Sequence, residues 1–257
     1  MSIILFGEAL IDSFPDADVL GGAPFNVACA LGAFGSPALL LSAVGLDDGA
    51  ATIRAAMRRF GLDERGLQTD PFHPTGRVAV ELSGDGHRFD ILVNQAYDHI
   101  DGTRAAATIN SAAAPQVLYF GTMAQRHEVS RSALRHLFEQ VQAPRFLDLN
   151  LREGTYTRES VAASLLEADM LKVNEGELLF LLKQFVSPLA DFGMRVDSAM
   201  LNSRLLPALQ SLLAQFSLQS LVVTLGERGY AYLHRMGRMI VDDRPAPASD
   251  VADTVGC

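Results

Sequence analysis

Six short apolar runs separated by longer amphipathic stretches limit what this chain can fold into. Residues 3–6, 38–44, 117–120, 146–149, 170–173 and 221–224 each read as buried strands. Helical periodicity runs through 24–34, 49–60, 130–141, 160–167, 175–185 and 199–216. A near-continuous apolar strand needs cover on both faces, and a parallel neighbour needs a long crossover, usually a helix. The alternation therefore predicts βαβ units around a mostly parallel sheet, an α/β fold. Ligands of such sheets bind beyond the carboxyl ends of the strands. The residues just after each strand are the place to seek chemistry.

One segment departs from this pattern. Between residues 75 and 93, Val78, Val80 and Leu82 alternate with Arg77, Ala79 and Glu81, and Phe89, Ile91 and Val93 alternate on the return. Ser83-Gly84-Asp85-Gly86 supplies the turn of a hairpin. Residues 11–20 offer another short extended piece to pair with it. The expectation is a β flap over the strand ends, formed by about 11–20 and 75–97, rather than a decorative edge. No internal repeat or low-complexity region is present, and the Ala-rich run 105–114 is too short to count.

A length of 257 residues fits one large α/β domain, or a domain with a small appendage. The 49% hydrophobic and 20% charged content is ordinary for a chain that buries a core. A net charge of −9 argues against nucleic acid or an anionic membrane as the main partner. Cys29 and Cys257 form no CxxC pair, so a cytosolic thiol protein is expected. The N-terminus lacks a basic region and Glu8 interrupts its apolar run, so neither a signal peptide nor a membrane span is expected.

Several polar clusters fall at predicted strand ends. Asp12, in Gly7-Glu8-Ala9-Leu10-Ile11-Asp12, fits an acceptor for two sugar hydroxyls or a solvated loop acid. Gly21 and Gly22, followed by Pro24 and Asn26, build either a ligand-binding corner at a helix start or a plain tight turn. In Asp148-Leu149-Asn150-Leu151-Arg152, Arg152 could clamp developing phosphoryl charge or a substrate carboxylate, or remain a surface arginine. Asn174 and Glu177 are spaced for one helix face and equally for a capping box. Thr224-Leu225-Gly226-Glu227-Arg228-Gly229 closes a strand with two glycines that admit close approach. No Walker P-loop or Rossmann glycine fingerprint is present.

Together these pieces resemble the PfkB/ribokinase family of carbohydrate kinases. Gly21-Gly22-Ala23-Pro24-Phe25-Asn26-Val27-Ala28, Gly32-Ala33-Phe34-Gly35 and Val44-Gly45-Leu46-Asp47-Asp48-Gly49 are similar to its N-terminal signature, and Gly7-Glu8-Ala9-Leu10-Ile11-Asp12 to its fructokinase-like branch. Asp253-Thr254-Val255-Gly256-Cys257 resembles the opening of its D-T-x-G-[AC]-G-D phosphoryl-transfer motif. The resemblance implies a ribokinase-like three-layer sandwich with a β lid. It implies sugar contacts from Asp12, Gly21, Gly22 and Asn26, with Asn94 and Gln95 added where the lid ends. It implies ATP contacts from Asn174, Thr224, Gly226, Gly229, Asp253 and Thr254, and ordering of hydrated Mg²⁺ by Glu177 with Asn174. Gly256 and Cys257 would begin an anion hole for the transferred phosphoryl group, and Arg152 would offset its charge.

The implied reaction moves the γ-phosphoryl group of ATP to a sugar hydroxyl, with fructose favoured. Ribose, a nucleoside or 2-keto-3-deoxygluconate are alternative acceptors, and a non-catalytic sugar or nucleotide sensor is the alternative class. The family's catalytic Asp would fall two positions past Cys257, so a truncated form of a longer active enzyme is expected. An intact mass near 27.7 kDa would refute that expectation. A homodimer paired through the lid is the expected assembly.

Overall fold

The computed structural model describes residues 2–83, 86–111, 114–187, 196–197, 200–201, 203–237, 239–242 and 244. The chain divides into two compact units, one from Met1–Ala143 and one from Pro144–Ala252.

In the first unit, β1 (Ser2–Phe6), β4 (Ala38–Val44), β5 (Leu67–Thr69) and β8 (Pro115–Phe120) form a parallel sheet in the order β8-β1-β4-β5. Ile4, Leu5 and Phe6 of β1 and Leu40 and Leu41 of β4 are at most 1% exposed, which explains their continuous apolar sequence. Each such side chain contributes roughly 1.5–3 kcal/mol of burial. Helices α1 (Ala23–Ala33), α2 (Asp48–Arg59), α3 (Gly102–Asn110) and α4 (Glu128–Gln140) accompany this sheet, α1 packing on β1 and β4 and α3 on α4.

The same unit carries a second sheet, β3-β2-β6-β7, made of β2 (Leu10–Ser13), β3 (Asp18–Gly21), β6 (Gly76–Ser83) and β7 (Gly86–Ile91). The hairpin expected near 75–93 is β6–β7, antiparallel from Val78↔Ile91 to Ser83↔Gly86. The single extended piece expected at 11–20 is instead a second antiparallel hairpin, β2–β3, closed where the Phe14 amide donates to the Ala17 carbonyl. Its β2 runs parallel to β6, so Asp12 lies on an interior strand between Val19 and Val78.

In the second unit, β9 (Arg145–Asp148), β10 (Met170–Asn174) and β11 (Ser220–Thr224) are parallel, and β12 (Tyr230–His234) and β13 (Met239–Asp242) continue antiparallel. Helices α5 (Arg158–Glu167), α6 (Glu175–Leu181) and α7 (Leu206–Gln215) belong to this unit. The helix expected over 199–216 contains Pro207, and the structure puts this proline in the first turn of α7, where its missing N–H costs nothing. After α6 the chain widens into a π turn over Leu182–Val186.

Candidate functional site

In the first unit, the turn after β1 and the second sheet bring the glycines and acids together. Gly7 has φ 145°, and a Cβ there would stand 2.7 Å from Pro24 Cγ. Glu8 is 2% exposed, and its Oε1 accepts the Ala23 N–H at 3.2 Å, tying the strand end to the start of α1. Gly22 caps α1 with φ 102°, and a Cβ on it would meet the Glu8 carbonyl oxygen at 2.5 Å. A Cβ on Gly21 would be 2.2 Å from Asp12 Oδ2. Only a glycine allows the buried Asp12 carboxylate to lie against this backbone. Asn26 is half-buried in the first turn of α1, its N–H donating to the Gly22 carbonyl at 2.9 Å. Asp12, Gly21, Gly22 and Asn26 are thus linked through one short stretch of structure, with Glu8 added to them.

Asn94 and Gln95 follow β7 and turn elsewhere. Asn94 is exposed with φ 60°, and its Oδ1 is 2.9 Å from His99 Nε2. The buried Gln95 side chain donates to the Val93 carbonyl at 2.8 Å, and its backbone N–H donates to Asp98 Oδ2 at 2.9 Å. Asp98, 1% exposed, receives a two-pronged bond from Arg126 at 2.8 Å for each pair of atoms. The same guanidinium reaches the Leu92 carbonyl at 2.6 Å and lies 5.0 Å from the Tyr97 ring centre. This pair fastens the end of β7 to the turn before α4. Beside it, His73 and His99 stack with ring centres 3.6 Å apart, and His127 tilts against His99 at 4.4 Å.

The Val44-Gly45-Leu46-Asp47-Asp48-Gly49 motif does structural work. Asp47 caps α2 through the Ala50 N–H at 3.0 Å and accepts the Thr75 N–H at 2.8 Å, while Thr75 Oγ1 accepts the Gly45 N–H at 2.9 Å. Burial raises the Asp47 pKa, but these donors outweigh it and hold the carboxyl below its ordinary range.

In the second unit, the carboxyl ends of β9, β10 and β11 present Asp148, Asn174 and Thr224. The register sets Asn174 beside Thr224, and Lys172 beside Asp148, whose carboxylate receives the Lys172 ammonium at 2.9 Å. Asn174 Oδ1 accepts the Glu177 N–H at 2.9 Å and Glu177 Oε2 accepts the Asn174 N–H at 2.8 Å, a complete capping box at the start of α6. Glu177 Oε1 also accepts the Leu151 N–H at 2.8 Å. Burial pushes the Glu177 carboxyl above its ordinary range, opposed by those two N–H groups and furthered by Asp148.

Each Glu177 oxygen holds one N–H and keeps a further lone pair, a donor set of hard oxygens that suits Mg²⁺ through its water shell. Among the described residues, no group of three or more His, Cys, Asp or Glu is arranged to hold a bare ion. Arg152 is exposed, its guanidinium 3.5 Å from the adjacent Leu151 carbonyl. Gly226 and Gly229 have φ of 62° and 90°, and a Cβ on Gly229 would be 1.9 Å from the Asp242 carbonyl oxygen. Asp253, Thr254, Gly256 and Cys257, expected at the site from the sequence, lie outside the described residues.

Sequence reasoning missed the Asp98–Arg126 pair and the Glu175–Arg228 pair. Their members come from separate segments, and no spacing rule joins them.

A family model described as pfkB family carbohydrate kinase matches residues 17–257. The chain belongs to that family. Fructokinase-1 of Oryza sativa subsp. japonica is 32% identical over 200 residues, which cover 70% of this chain and 62% of that protein. Fructokinase-1 of Zea mays is 30% identical over 200 residues, again covering 70% and 62%. The chain thus spans about three fifths of the length of these curated relatives. Among solved structures, fructokinase from Xylella fastidiosa with bound ATP aligns with a TM-score of 0.79 at 20% identity, covering 98% of this chain and 76% of that one. Apo fructokinase from Vibrio cholerae O395 aligns at 0.74 and 23%, covering 94% and 80%. These likenesses establish the fold as the ribokinase-like α/β one.

Proposed function

We propose that this protein transfers the γ-phosphoryl group of ATP to a hydroxyl of a neutral sugar, with fructose the favoured acceptor. Family membership supports the reaction class. The observation that carries the choice of acceptor is the charge on the sugar side of the first unit. Glu8 and Asp12 are buried acids there. Among the described side chains, two cations of this unit are bonded to other acids, Arg126 to Asp98 and Arg77 to Asp18 at 3.0 Å. A carboxylate accepts hydroxyl hydrogens and repels an anion, which disfavours a 2-keto-3-deoxy acid or a sugar phosphate.

On this reading Asp12 and Asn26 orient the sugar hydroxyls, and Gly21 and Gly22 let it approach the backbone. Asn174, Thr224, Gly226, Gly229, Asp253 and Thr254 meet the nucleotide. Glu177, with Asn174, would hold the waters of Mg²⁺, which when bound neutralises phosphate charge. Arg152 and the amides of Gly256 and Cys257 would face the transferred group. Phosphoryl transfer depends chiefly on such alignment and charge compensation. The second sheet excludes water from the acceptor and pairs with its counterpart in a homodimer.

The test is ADP release by the full protein with fructose, ribose and 2-keto-3-deoxygluconate. Fructose should give the highest kcat/KM. Preference for the acid would overturn the choice of acceptor.

A further inference from the structure

Glu175 and Arg228 take no part in the roles assigned so far, yet they are bonded to each other and to a third segment. Glu175 is the first residue of α6, directly after Asn174. Its Oε1 accepts the Val196 N–H and its Oε2 accepts the Arg228 guanidinium. Arg228 also donates to the Val196 carbonyl at 2.6 Å. Three segments are thereby closed into one ring of charge-assisted hydrogen bonds.

Position gives the ring its meaning. Arg228 stands inside the Gly226–Gly229 turn, and Glu175 stands inside the Asn174–Glu177 box. The strands that lead into these motifs are already aligned by the Asn174↔Thr224 register. The ring acts beyond the strand ends, on the loop itself. The far side of that turn is seated on the Asp242 carbonyl, which leaves no room for a Cβ at Gly229. Arg228 fastens the near side to α6. Without it, the turn keeps the Leu225 N–H to Gly229 carbonyl bond at 2.9 Å but loses its tie to the helix. The side chains of Arg228 and Glu175 are 30% and 25% exposed, so solvent screens the pair in part and its value as a mere stability contact is modest.

We propose that Glu175 and Arg228 are a positioning pair for the nucleotide. They hold the Gly226–Gly229 turn against the first turn of α6, so that both motifs are pre-arranged before the nucleotide arrives. The inference rests on the sugar-kinase reading and adds to it two residues that set nucleotide affinity without touching the sugar. Pre-arrangement of this kind raises affinity by removing the ordering cost at binding.

The test uses the full protein and two readouts: calorimetric titration with MgADP, and steady-state kinetics with ATP and fructose varied separately. Arg228→Met and Glu175→Ala should each weaken MgADP binding, and raise KM for ATP, roughly fivefold or more. KM for fructose should stay within about twofold, because the sugar contacts are not altered. The double variant should be no worse than the worse single one, since both remove the same tie. Arg228→Lys keeps the charge but not the planar fork and should fall between. It also serves as the folded variant if Arg228→Met does not fold. Variants that melt earlier yet bind MgADP as tightly as the unaltered protein would reduce the pair to a structural contact and overturn the proposal. An unaltered protein that binds no MgADP would remove the sugar-kinase reading and this inference with it.

Discussion

At Gly21 the requirements of the backbone and of the proposed sugar site meet within one residue. The Asp12 carboxylate occupies the space that any side chain at position 21 would fill, with the Leu10 side chain also within 2.8 Å. Gly21→Ala must therefore move Asp12 or part β2 from β3. Misplacing a substrate-orienting group by about 1 Å costs on the order of 10²-fold in rate. We expect kcat/KM for the sugar to fall by about that factor, with KM for ATP changed little. Steady-state kinetics alongside a thermal melt would check it, and an unchanged kcat/KM in a folded variant would remove Asp12 from the sugar site. Cys29 is a contrasting case. Burial pushes its thiol up to about 11, so at neutral pH it is an inert packing residue.

Among the elements, the end of β7 depends on the Asp98–Arg126 pair. Removing one member of a buried ion pair leaves the other charged and unmatched, at a cost of about 3–5 kcal/mol. Asp98→Ala should lower stability by that order in denaturant titration. Asp98→Ala combined with Arg126→Met should lose less than Asp98→Ala alone. A double variant that loses the sum of both would show the two residues to be independent.

The histidine stack binds three connecting segments and introduces a pH dependence. Burial holds the His99 pKa below its ordinary value, aided by repulsion from His73 and His127 and opposed by Asp70 and Asp98. The unfolded chain then takes up the proton first, so stability is complete above the ordinary histidine pKa of about 6.5 and declines as pH falls below it. Thermal melts should show a lower Tm at pH 5.5 than at pH 8, and His99→Asn should flatten the difference. An equal pH slope in the variant would place the titration elsewhere.

This scale also shows what the sequence could reveal. The six apolar runs became β1, β4, β8, β9, β10 and β11 with ends within two residues, because strands buried on both faces are written as unbroken apolar runs. Several elements escaped. β5 is three residues long, the β12–β13 hairpin alternates with exposed positions such as Tyr230 and Ile240, and α3 has Ile109 as its one large apolar residue, too little for a visible periodicity. Of the candidate site, Asp12, Gly21, Gly22, Asn26, Asn174 and Glu177 were legible because local motifs hold them at fixed spacing. Asp98 with Arg126, and Glu175 with Arg228, were not, because tertiary contact alone brings them together.

For the molecule as a whole, the proposed uncharged acceptor agrees with the buried acids Glu8 and Asp12 of the first unit. Family membership supports the proposed reaction class, and the fold is shared with fructokinases of known structure. Among the described residues, no helix is long and apolar enough to cross a membrane.

The most direct test of the central claim follows the phosphorus itself. Phosphorus NMR of the full protein with MgATP and fructose should show the γ-phosphate signal replaced by a sugar phosphomonoester, with ADP formed in equal amount. Release of inorganic phosphate alone, or ATP left intact with every neutral sugar supplied, would contradict the account.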